Sequence, residues 1–109
     1  MRVWDVEPRK LCRKHLLGEH RELHALFTIL NEDRTGYRHH PETIRWVGKL
    51  PALAHRHELL VAEMLRRGYN HHSPLPDVAG VETQDEFLIS VEEQEALLTT
   101  KDCDCLLPL

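Results

Sequence analysis

The sequence predicts an all-α fold, a compact single-domain bundle of about three main helices with an N-terminal segment packed near the first long helix. Three observations lead there. Apolar residues recur at three-, four- and seven-residue steps along most of the 109 residues, which is the helical period. Alternation of the strand type is nearly absent. Helix start and stop residues fall where the periodic stretches begin and end.

The elements follow in order. "MRVWDVEP" is short and mixed. Pro8 then opens a helix-like stretch, and from Leu11 to about Leu30 the positions Cys12, Leu16, Leu23, Phe27 and Leu30 form an apolar stripe. "NEDRTGYRHH" breaks that stripe and reads as a loop around Gly36. Pro41 suits the first turn of a second helix, "PETIRWVGKL". Pro51 either kinks that helix or starts a new one. Leu53, His57, Leu60, Val61 and Met64 then resume the helical period. Arg66 and Arg67 stand in the last turn, where cations favour the helix dipole, and Gly68 suits the position just past the end. After a turn-rich connection, Ser90-x-x-Glu93 reads as a capping box for a last short helix from Val91 to about Lys101.

Composition narrows the function classes. Hydrophobic residues make up 41% and charged residues 29%, an ordinary folded balance. No apolar run approaches the roughly 20 residues that span a bilayer, and the start has no apolar stretch behind its charges, so neither a membrane span nor a signal peptide is expected. Three cysteines, two of them as Cys103-x-Cys105, suit a reducing cytoplasmic setting. The net charge of −4 hides an asymmetry. Residues 1–76 hold 13 Lys and Arg against nine Asp and Glu, together with all nine histidines. Residues 77–109 hold one Lys against nine Asp and Glu. A basic body can meet a phosphate backbone; equally, the acidic segment can fold back and neutralise it.

The stretch "GEHRELH", residues 18–24, nearly spells the zinc-protease motif H-E-x-x-H. His20 and His24 have the right spacing. Glu22, however, stands two residues after His20, about 200° around a helix that turns about 100° per residue. It therefore cannot serve a zinc held by those histidines. Glu22 shares its face with His15, seven residues back, and is flanked by Gly18 and Ala25, both small. This is either a solvated polar face or an uncrowded carboxylate that a ligand can approach. His20 and His24 border the apolar stripe, as core-edge histidines or as two of several metal ligands. His39, His40, His55, His57, His71 and His72 are further candidates. Cys103-x-Cys105 reads as structurally bland.

"LCRKHLLGEHRELHALF" and "RHELLVAEMLRRGYN", in this order and with a proline-led helix between them, resemble the pyrimidine-dimer DNA glycosylases over roughly residues 1–72. The resemblance implies a compact all-helical enzyme that acts on damaged double-stranded DNA without metal or other cofactor. It implies that the N-terminal amine, here of Met1, is the nucleophile and that Glu22 is the acid/base residue. Arg2 and Arg21 match arginines beside the nucleophile and before the glutamate. Arg13, Lys14, Arg45, Lys49 and Arg56, with His15, complete the expected DNA-facing set. Three departures stand out. Met1 replaces the small hydroxyl residue that starts the family's phage member, Ala25 replaces a DNA-facing arginine of that member, and an acidic segment replaces its basic, aromatic C-terminus. A His-rich, non-enzymatic module binding metal or DNA is the alternative reading.

Overall fold

The computed structural model describes residues 2–32, 39–70, 74–76, 78, 80, 83–101 and 105. Among these it is all-helical: α1 spans Arg13–Asn31, α2 Pro41–Arg45, α3 Leu50–Arg66 and α4 Val91–Thr99, preceded by one 3-10 turn at Pro8–Lys10. No described helix is long and apolar enough to cross a membrane.

Most boundaries have visible chemical causes. Pro8 opens only the 3-10 turn; Leu11 and Cys12 then take extended backbone before α1 begins. Pro41 starts α2, capped by the His40 ring, whose Nδ1 accepts from the Glu42 amide. The helix is shorter than the sequence pattern suggests. It ends after one turn, and Gly48 turns the chain with φ 75°, a conformation that a β-carbon penalises. Pro51 then lies in the first turn of a separate helix, α3, so it starts an element rather than kinking one. The end of α3 is a Schellman motif: Gly68 has φ 81°, its N–H donates to the Leu65 carbonyl, and the Tyr69 N–H reaches back to Met64. The capping box of Ser90 and Glu93 forms as expected.

α1 packs chiefly on α3. Their interface repeats one pattern on both sides, Leu16-x-x-Glu19-His20-x-x-Leu23 against Leu53-x-x-Arg56-His57-x-x-Leu60. The leucines are fully buried and supply the apolar layers, and the four polar residues between them are buried as well. Burying charge is tolerated only when it is paired, and here it is. The Arg56 guanidinium donates from Nε and Nη2 to both oxygens of Glu19, at 2.7 and 3.0 Å. The apolar stripe of α1 is thus interrupted by a matched polar layer. The N-terminal residues Val3, Trp4 and Val6 join the same core, together with Leu11, Leu26, Phe27, Trp46, Met64 and Leu98.

Candidate active site

The first residues of the described chain are clamped onto α1 and α2. The Val3 amide donates to Glu42 Oε1 at 3.3 Å, and the Val3 carbonyl accepts from Arg45 Nη2 at 2.8 Å. The Trp4 amide donates to the buried Glu19 carboxylate. The Asp5 amide donates to Gln94 Oε1 at 2.8 Å. Three consecutive peptide units are therefore held by four side chains drawn from α1, α2 and α4. Burial pushes the Glu19 carboxyl above the usual range, opposed by the Arg56 charge and by the hydrogen bonds from Arg56 and Trp4.

Trp4 carries this anchorage toward the face that bears Glu22. Its indole lies under the Arg2 guanidinium, 4.8 Å from carbon to ring centre, and meets the His15 ring edge-on at 6.1 Å. His15 stands two turns before Glu22 on the same side of α1. Burial, then the charges of Lys101 and Lys14, hold the His15 imidazole below its ordinary pKa. Glu22 itself is half-buried, and Ala25 is exposed. A β-carbon built on Gly18 would meet none of the described atoms within 4 Å. Met1 lies outside the described residues, so the described chain begins at its neighbour Arg2.

The expected DNA-facing cations divide into two groups. Arg13, Lys14 and Arg21 are exposed, Arg2 is half-exposed, and Arg13 stacks over Tyr69 at 5.2 Å. Arg45 and Arg56 are interior residues, which corrects their expected place on a DNA-facing surface. Arg45 is 4% exposed and spends its guanidinium on Glu42, Asp5 and the carbonyls of Val3 and Glu86. Arg56 is committed to Glu19. Lys49 is corrected in the same direction. Its Nζ lies within hydrogen-bond reach of Gln84, Asp85 and Glu86, all in the acidic segment. With Lys10 paired to Glu95 at 3.0 Å, these contacts show the acidic segment folding back to neutralise part of the basic body.

Two ligand-type clusters form among the described residues. His20, His24 and His57 converge on one point, with Nε2 of His57 3.2 Å from that of His20 and 3.1 Å from that of His24. The sequence leaves His20 and His24 as core-edge histidines or as two of several metal ligands, with His57 one of six further candidates; the fold selects His57, on α3, as the residue that meets them. The signal was present but weak: Glu19 and His20 fall three and four residues after Leu16, on its face. The second cluster joins Cys12, His15 and Cys105, with the thiols 3.2 and 3.4 Å from His15 Nδ1. Cys103, His71 and His72 lie outside the described residues. A groove of about 570 Å³ between α3 and the stretch of Thr83, Gln84 and Phe87, lined also by Trp46, His55 and Leu59, touches neither cluster's ligands nor Glu22.

A protein-family model described as pyrimidine dimer DNA glycosylase matches residues 1–77. The chain belongs to this family. Neither the curated proteins nor the solved structures give a match. The family match ends where the charge changes sign, so it covers the basic body, α1 to α3 and the clamped N-terminal segment, and leaves the acidic segment outside. Membership in a DNA glycosylase family implies DNA as the substrate.

Proposed function

We propose that this protein is a DNA glycosylase with abasic-site lyase activity, acting on ultraviolet pyrimidine dimers or related base damage in double-stranded DNA. The observation that carries the reading is the hydrogen bond from the Trp4 amide to Glu19, one turn before Glu22 on α1, within a clamp that also holds Val3 on Glu42 and Asp5 on Gln94.

An α-amine titrates near 7.7–8.0, well below lysine at about 10.4, so a useful fraction is neutral and nucleophilic at pH 7. In this mechanism the Met1 nitrogen attacks C1′ of the damaged nucleotide. The N–C1′ bond forms, the glycosidic bond breaks, and the base leaves. The Glu22 carboxylate takes the proton that the amine gives up and returns it to the ring oxygen as the sugar opens to an imine. Removal of a C2′ proton then expels the 3′ phosphate by β-elimination, and water releases the unsaturated sugar from the amine. Arg2 and Arg21 supply phosphate contacts on either side of the reacting sugar. Extruding a base is least costly where stacking is already damaged. Cytoplasmic residence, suggested by the cysteine usage, fits this role.

The test is reductive trapping. Borohydride should fix a covalent adduct between the N-terminal residue and ultraviolet-irradiated or abasic duplex DNA, and peptide mapping should place it on Met1. Acetylation of the N-terminus should abolish it. Failure to trap an adduct on either substrate, or an adduct that maps to a lysine, removes the reading.

A further inference from the structure

We infer that His20, His24 and His57 form a site for one divalent transition-metal ion of the zinc type, which braces α1 against α3 on the side of α1 away from Glu22. The site is distinct from the proposed reaction and does not depend on it.

The geometry suits such an ion in three respects. His20 and His24 are one helical turn apart on α1, so both rings reach the same point, and His57 meets them from α3. For nitrogen ligands at about 2.0–2.1 Å in a tetrahedral shell, neighbouring ligand nitrogens lie roughly 3.3–3.4 Å apart. The Nε2 separations of 3.2 and 3.1 Å from His57 to its two neighbours are close to that edge. Second, the tautomer of His57 is set from outside. Its Nδ1 lies 3.0 Å from Glu58 Oε1. A carboxylate accepts, so the proton is on Nδ1 and the Nε2 lone pair points at the convergence. A carboxylate behind a histidine is a recurring second support of metal ligands. Third, the described residues bring three imidazole nitrogens and no thiolate to the centre, a set that suits zinc, cobalt, nickel or copper over calcium or magnesium.

A cluster without metal can also form, with the His57 lone pair shared by N–H groups of His20 and His24. The two arrangements differ in what they bind. The full-length chain should be stripped with a chelator and dialysed against zinc or cobalt. A Cys12→Ser/Cys105→Ser variant removes the thiols of the other cluster. That variant should bind one equivalent of either metal and show visible cobalt ligand-field bands without thiolate charge-transfer absorption. Zinc should raise its melting temperature. His57→Gln should lose stoichiometric binding, and Glu58→Gln should weaken it by about 10–100-fold. If circular dichroism shows that His57→Gln does not fold, His24→Gln, at a half-buried position, replaces it with the same expected loss. Absence of a bound equivalent in the thiol-free variant overturns the inference. So does binding that survives both histidine changes, or cobalt spectra in the unmodified chain that report thiolate ligation alone.

Discussion

Two neighbouring carboxylates of α1 are used to opposite ends. Glu19, like His20 beside it, is buried and bound to a partner on α3. Glu22, one turn after Glu19 and only about 60° around the helix from it, is half-buried, near a glycine whose built β-carbon would meet no described atom within 4 Å. Two glutamates three residues apart therefore have different work. Glu19 neutralises Arg56 and holds the Trp4 amide, and so fixes where the N-terminal segment lies. Glu22 makes no hydrogen bond or ion pair among the described residues and is partly open to solvent. Glu19 positions; Glu22 is the carboxylate of the proposed chemistry. This contrast gives each residue its own mutational signature.

The largest expected effect belongs to Glu22. Replacing Glu22 with Gln keeps size and removes the carboxylate. A general acid/base contributes about 10²–10⁴-fold, so strand cleavage at abasic DNA should fall by at least that range. Stability should change by no more than about 0.5 kcal/mol, as for surface substitutions away from packed features. Parallel cleavage assays and thermal melts would measure both. Cleavage at the unmodified rate would take Glu22 out of the mechanism.

Glu19 should respond the other way round. Glu19→Ala leaves the Arg56 guanidinium buried without its anion, a defect that costs about 3–5 kcal/mol in such pairs. It also releases the Trp4 amide, so the anchorage of the first residues should loosen together with the helix interface. Denaturant unfolding should show the stability loss, and hydrogen exchange should show faster exchange at Trp4. Retention of full stability in Glu19→Ala would mean that the polar layer between α1 and α3 is dispensable. The double change Glu19→Leu/Arg56→Met should recover most of the loss, since replacing a whole buried pair by apolar residues is often neutral or better.

How much of this was legible in the sequence depends on how far apart the partners are. The Gly68 terminus, the Ser90–Glu93 box and the Pro41 start rest on contacts within a few residues, and all three form. The face of Glu22 follows from 100° per residue and two small neighbours, and it needs no tertiary information. The early end of α2 was not legible, because Trp46 is drawn into the core and the chain turns at Gly48. The fate of the basic residues was not legible either. Counting Lys and Arg gives the charge of the body but not its direction. Arg45 meets Asp5 forty residues earlier, Arg56 meets Glu19 across the helix pair, and Lys49 meets residues 84–86. His57 joins His20 and His24 for the same reason. The three are close only because two leucine frames on α1 and α3 align.

That sorting of cations gives the smallest of the expected effects and the finest test of the contrast. If the exposed arginine next to Glu22 contacts phosphate, Arg21→Ala should lower affinity for duplex DNA about equally across sequences. Each phosphate contact contributes about 0.9 to the slope of log affinity against log salt on duplex DNA, so the slope should become shallower by about that amount. Arg45 carries the same formal charge but is enclosed by Glu42, Asp5 and two carbonyls. Arg45→Met should leave the salt slope within error of the unmodified protein in any variant population that remains folded, while lowering the unfolding midpoint. Fluorescence anisotropy titrations over a salt series would read both slopes. Equal slope changes in the two variants would show that net charge alone governs binding. A change confined to Arg21 would place the DNA on the Glu22 side of α1, where the clamped start of the chain also lies.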